Sequence, residues 1–132
     1  MPEQHFAAVS TPVAFVYVTD RARSLAFYLD VLGLDLHQSD GYGDFLNTPG
    51  ALVRMTVMPD HKPSAHPVLA WDVADVEAAA RELIARGVTF SRYDGMPMDD
   101  LGIWTAPDGK SKLAFFADPD GNIHELFADL AS

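Results

Sequence analysis

Hydrophobic and polar positions fall into two stretches that repeat one another. The apolar run Val13-Ala-Phe-Val-Tyr-Val18 leads through Thr19 to Asp20, then into an amphipathic segment that stops at Gly33. The run Val68-Leu-Ala-Trp-Asp-Val73 leads through Ala74 to Asp75 and a second amphipathic segment that stops at Gly87. An offset of 55 residues separates Val13 from Val68 and also Asp20 from Asp75. Similarity at a fixed offset is the signature of a duplicated supersecondary unit. Each half is therefore predicted to begin as strand, capped helix and glycine stop. Asp20 and Asp75 suit the N-cap, where a side-chain oxygen accepts from unpaired amides of the first turn and negative charge meets the positive end of the helix. Leu25, Tyr28, Leu29 and Leu32 recur at i, i+3, i+4 and i+7, while Val76, Ala80, Leu83 and Gly87 form a narrower stripe. Each helix is expected to lay that face on a sheet. Gly33 and Gly87 provide the left-handed residue that follows a helix end.

Short extended segments divided by turn residues follow each helix: 35–39, 45–48 and 51–58 in the first half, 89–93, 113–117 and 122–127 in the second. Each half thus reads βαβββ. The fold class is α+β, a single domain of residues 1–132 built of two βαβββ modules at about 12–58 and 67–128. The connections Thr48-Pro49-Gly50 and Asp118-Pro119-Asp120-Gly121 carry hairpin chemistry, proline presetting φ and glycine accepting a positive one. Setting Gly50 against Gly121 aligns the last strands at an offset of 71 residues and makes Arg54 the counterpart of Glu125. The extra length of the second half, 94–111, reads as a loop, a short strand at Ile103-Trp104-Thr105 and a turn. Met96, Met98 and Trp104 could cover a cavity mouth or merely seal the core.

Composition narrows the function classes. The absence of cysteine excludes a disulfide scaffold and a thiolate metal site. The first residues, Met-Pro-Glu-Gln-His, lack the pattern of a secretory signal, and no apolar run approaches the roughly 18 to 20 residues that span a bilayer. A soluble, cytoplasmic protein without a membrane partner is expected. Nine Lys and Arg against 19 Asp and Glu give a net charge of −10, which argues against nucleic acid as a partner and would attract a cationic ligand.

Two motifs in register narrow the reading further. They are Asp20-Arg-Ala-Arg-Ser24-Leu-Ala-Phe27-Tyr28 followed by Val31-Leu-Gly33-Leu, and Asp118-Pro-Asp-Gly-Asn122 before Glu125. With the duplicated modules they make the chain resemble, over about residues 12–128, the vicinal oxygen chelate superfamily of glyoxalase I, extradiol dioxygenases, fosfomycin-resistance enzymes and bleomycin-resistance proteins. The resemblance implies the paired βαβββ fold and a homodimer. In metal-bearing members it implies a divalent ion held from the start of the first strand and from the last strand of each module. Such an ion acts as a Lewis acid and commonly takes at least three protein ligands.

Carried over residue by residue, those positions fall on Val13, Arg54, Val68 and Glu125. Only Glu125 can coordinate, since valine has no donor atom and arginine is a permanent cation. His66 lies two residues before Val68, about 6.6 Å away along a strand and separated by Pro67, which is too far for a simple substitution. Alternation turns His124 to the face opposite Glu125, and His5, His37 and His61 fall in edge or loop segments. The expected function is small-molecule binding with the usual metal site largely lost and no cofactor. Arg54, Glu125, Val13, Val68 and Trp104 are the expected ligand-binding residues, with Arg54 and Glu125 pairing or gripping a polar ligand group. The alternative is a metal-dependent lyase, isomerase or dioxygenase of the glyoxalase I or extradiol type, its divalent ion held by Glu125 and His66. A third reading makes Glu125, the one catalytic candidate, a general base without metal. No nucleophile is apparent, with no cysteine and no serine in a nucleophile elbow.

Overall fold

The computed structural model describes residues 5–129; of the five residues read above for a signal, 1–4 lie outside them. After His61 the chain divides into two compact units, each built on a four-stranded mixed sheet. The first unit contains β1 (Val13–Val18), α1 (Arg21–Ala26), β2 (Asp35–Asp40), β3 (Gly43–Thr48) and β4 (Ala51–Val57), preceded by a 3₁₀ turn at Phe6–Val9. Its strand order is β1-β4-β3-β2, with β1 parallel to β4 and the other pairs antiparallel. The second unit contains β5 (Pro67–Asp72), α2 (Val76–Ala85), β6 (Trp104–Thr105), β7 (Ser111–Ala117) and β8 (Ile123–Asp129) in the order β5-β8-β7-β6, again with its first and last strands parallel. The two modules thus share one topology.

Period-2 alternation separates the faces of each sheet. In the first unit Val16, Val18, Leu46, Val53 and Met55 are buried together with Tyr28 and Ser24 of the helical segment. In the second, Val76, Ala80 and Leu83 of α2 are buried, as are Ala114, Phe116, Leu126 and Ala128, and α2 packs on β7 and β8. Both caps form: Asp20 accepts from the Arg23 amide at 3.1 Å and Asp75 from the Ala78 amide at 3.0 Å. Gly33 and Gly87 take φ of 81° and 96°. Gly87 is exposed, so it ends the helix and does not extend the buried stripe.

Two elements differ from the sequence-based expectation. The first helix is not uniform to Gly33: it widens into a π turn at Phe27–Val31, closed by the Leu32 amide on the Phe27 carbonyl at 3.0 Å. Ser24 and Tyr28 are the buried pair, while Leu25, Leu29 and Leu32 are half-buried. The expected strand at 89–93 is reduced to a single bridge between Phe90 and Phe116, and the paired strand there is β6. Arg92 explains the break, because its guanidinium donates to the carbonyls of Asp99 and Asp100, both at 2.8 Å, and ties this segment to the following loop. Among the described residues no helix is long and apolar enough to cross a membrane.

Candidate functional site

The face of the first sheet opposite its buried core carries the richest chemistry. On β1, Val13, Phe15 and Tyr17 alternate with the core valines and stay 38%, 51% and 41% exposed. On β4 the same phase brings up Arg54, flanked in register by Phe15 of β1 and Phe45 of β3. The Arg54 guanidinium carbon lies 5.8 Å from the Phe15 ring centroid and 5.2 Å from that of Phe45. Each such contact is worth about 0.5–1 kcal/mol when exposed and more when desolvated. Arg54 Nε is buried and, among the described residues of its unit, has no acceptor and no ion-pair partner. Gly43 makes room for it, since a Cβ there would sit 3.2 Å from Nε and 2.9 Å from the Met55 carbonyl oxygen.

A cleft of about 470 Å³ opens beside Arg54, bounded by Phe15, Tyr17, Thr56 and the β2–β3 turn at Gly41 and Tyr42. That turn is built locally: Asp40 Oδ1 accepts from the amides of Tyr42 at 2.7 Å and Gly43 at 2.9 Å. It holds Tyr42, 78% exposed, over the cleft rim. The His61 ring meets Tyr17 at 5.9 Å, beside a second cleft of about 230 Å³ that Met58, Pro59 and Asp60 also line.

Beneath the same hairpin, Asp44 is buried and receives both Arg21 Nε at 2.9 Å and Nη2 at 2.7 Å, with the Ser39 hydroxyl at 2.6 Å. The Arg21 hydrogen bonds hold the Asp44 carboxyl below its ordinary range, against the opposing effect of burial. Sequence reasoning missed this pair, although an aspartate in phase with Leu46 on a strand was a readable signal of a satisfied buried carboxylate.

The second unit repeats the row with different chemistry. Glu125 is half-buried on β8, flanked by Ala70 of β5 and Phe115 of β7, in the place Arg54 holds between Phe15 and Phe45. Val68 falls in a register shift between Pro67 and Leu69 and is 38% exposed. His66 precedes β5, is exposed, and its amide donates to the Ser64 hydroxyl at 3.0 Å. Trp104 is half-buried on β6, paired with Leu113 and bridged to Met98. The residues expected to bind ligand therefore separate into Val13 and Arg54 on one sheet and Val68, Trp104 and Glu125 on the other.

His124 faces the opposite way from Glu125 and is fully buried. Its Nδ1 accepts from Trp71 Nε1 at 3.0 Å, and its ring stacks on Phe116 at 4.9 Å. Burial pushes its pKa down to about 4, with the Asp118 carboxylate opposing. The Asp118 motif is itself a closed turn: one carboxylate oxygen accepts from the amides of Asp120 and Asn122, both at 2.9 Å, and the other from the Asn122 side chain at 2.8 Å. This sequence signature therefore encodes a rigid entry into β8, which presents Glu125 on one face and His124 on the other.

Among the described residues no three His, Cys, Asp or Glu come together in a potential metal-binding group. The four positions implied by the motifs offer one carboxylate, fewer than the three protein ligands a divalent ion commonly takes.

Solved structures share this architecture. SMU.1112c superposes with a TM-score of 0.73 at 24% identity, covering 89% of this chain and 97% of that one. A glyoxalase family protein from Bacillus anthracis gives 0.69 at 17% identity, covering 91% and 94%. The genomically encoded fosfomycin resistance protein FosX from Listeria monocytogenes gives 0.70 at 16%, covering 90% and 92%. No curated protein matches the chain in sequence. The model of one family, however, matches residues 4–126, nearly the whole length. With its duplicated modules and both motifs in place, the chain belongs to the Glyoxalase/Bleomycin resistance protein/Dioxygenase superfamily.

Proposed function

We propose that this member of the superfamily binds a small molecule without a resident metal ion. The observation that carries the reading is Arg54. At the last-strand position of the first module, where metal-bearing relatives of the kind the motifs resemble would place a ligand, stands a guanidinium between two phenylalanine rings. A fixed positive charge there disfavours a divalent cation and suits a polar group of an organic ligand. The neighbouring cleft of about 470 Å³ lies within the size range of small-molecule sites, with aromatic walls for an apolar body. Val13 extends that wall; Val68, Glu125 and Trp104 are the corresponding candidates in the second unit. The protein is expected to act in the cytoplasm as a homodimer.

Thermal unfolding of chelator-stripped protein, alone and with Zn²⁺, Ni²⁺, Mn²⁺ or Fe²⁺, tests this. An ion that binds the native state alone must raise its stability by about RT ln(1 + [L]/Kd). No selective rise is expected. A selective rise abolished by Glu125→Ala would overturn the reading in favour of a metal-dependent lyase, isomerase or dioxygenase with Glu125 as a ligand. Chelator-insensitive turnover lost on Glu125→Gln would instead make Glu125 a general base.

A further inference from the structure

We infer that the cleft at Arg54 selects a monoanionic oxyacid, a single carboxylate or sulfonate group carried on a flat apolar body. The inference rests on the small-molecule reading and adds the chemical class of the ligand. It departs from what net charge alone suggests, since a protein of charge −10 would be expected to attract cations.

Three observations within the first unit carry it. First, Arg54 has no ion-pair partner among the described residues of the unit, while Arg21 of α1, which reaches the same hairpin, is engaged by Asp44 through two hydrogen bonds. Second, Arg54 Nε is buried with no acceptor among the described residues, and a donor left unsatisfied costs about 1–3 kcal/mol. A small movement of the side chain on arrival of an oxyanion would satisfy Nε and Nη together, the paired geometry in which guanidinium recognises carboxylates. Third, the rings that hold the cation also shape what accompanies the anion. Phe15 lies against the guanidinium and lines the cleft with Tyr17 and Tyr42, so an acid attached to a flat apolar group would stack while its oxygens meet Arg54. One cation in an acidic protein favours one negative charge over two, because every further charge on the ligand adds repulsion without adding a partner.

A matched pair of dyes tests this: 1-anilinonaphthalene-8-sulfonate and N-phenyl-1-naphthylamine share the same aromatic body and differ by the sulfonate. Titration of both into chelator-treated wild type, Arg54→Met and Arg54→Lys, each checked for native circular dichroism, reads the preference directly. Arg54→Met is expected to weaken the sulfonate at least tenfold while moving the neutral dye less than twofold, and Arg54→Lys to retain part of the difference. Equal weakening of both dyes, or of neither, would overturn the anion preference while leaving a metal-free binding cleft intact. Binding of either dye that appears only after a divalent ion is added would overturn the underlying reading as well. Absence of binding by both dyes under every condition would also count against the inference.

Discussion

At the scale of single residues, His124 ties stability to pH. Its ring is buried, which favours the neutral form, and accepts from Trp71 through Nδ1, which requires that nitrogen to be unprotonated. Its pKa falls from 6.5 to about 4 in the folded chain, so the unfolded state binds the proton first as pH drops. The stability this group lends is fully present above about pH 6.5, declines between 6.5 and 4, and levels off below. By linkage the loss amounts to about 3 kcal/mol. Asp44 adds a drop of the same sign, but in a lower window, because its folded pKa is depressed below the ordinary 3.8. Urea unfolding at pH 7.5 and 5.0 should therefore show a marked fall in wild type and at most half that fall in His124→Phe. An equal fall in both would place the acid sensitivity elsewhere. The variant is also expected to be less stable at pH 7.5, since Trp71 Nε1 loses its acceptor.

Elements carry the next level of specification. The N-cap of α2 is one side chain, Asp75, on the Ala78 amide, and Asp75→Ala should cost about 1 kcal/mol in unfolding free energy, read from the denaturation midpoint. The β2–β3 hairpin is more tightly constrained. Gly43 packs where any Cβ would press on the Met55 carbonyl and Arg54 Nε, so Gly43→Ala should destabilise by about 1–3 kcal/mol and displace Arg54. Its dye profile should then shift toward that of Arg54→Met, whereas an alanine that binds the sulfonate dye normally would detach Gly43 from the site. Much of this level was readable beforehand. Local chemistry at Asp20, Asp75, Gly33 and Gly87 marked both helix ends, alternation set the strand phases, and alignment of the turns at Gly50 and Gly121 gave the equivalence of Arg54 with Glu125. What escaped reading depends on partners distant in sequence: the π turn at Phe27–Val31, the Arg92 tether that ends the ladder after Phe90, and the Arg21–Asp44 pair across 23 residues. The site divided likewise. Arg54 was found by alignment of the halves, but its Phe15 and Phe45 neighbours follow from register, which no local signal in β1 or β3 specifies.

For the whole molecule, charge and burial act together as pH falls. The chain carries −10 near neutrality and reaches its isoelectric point at about pH 4.6, where repulsion between molecules vanishes. That pH lies inside the window in which His124 withdraws its stability, and a loss of 2–3 kcal/mol is a large share of the roughly 5–15 kcal/mol that holds a domain folded. Apolar side chains already exposed in the native state, Phe6 at 81% and Phe15 at 51% among them, then meet on molecules that no longer repel. Two failures thus coincide, one colloidal and one conformational, and they can be separated. Light scattering and near-ultraviolet circular dichroism at pH 7.5, 6.0 and 4.6 should find wild type scattering strongly at 4.6 with its tertiary signal diminished. His124→Phe has the same acidic groups and an almost unchanged isoelectric point, so it should scatter comparably at 4.6 while keeping more of its own neutral-pH tertiary signal. If the two proteins lose that signal in parallel, proton uptake by His124 is not what opens the fold, and acidic association alone accounts for the behaviour.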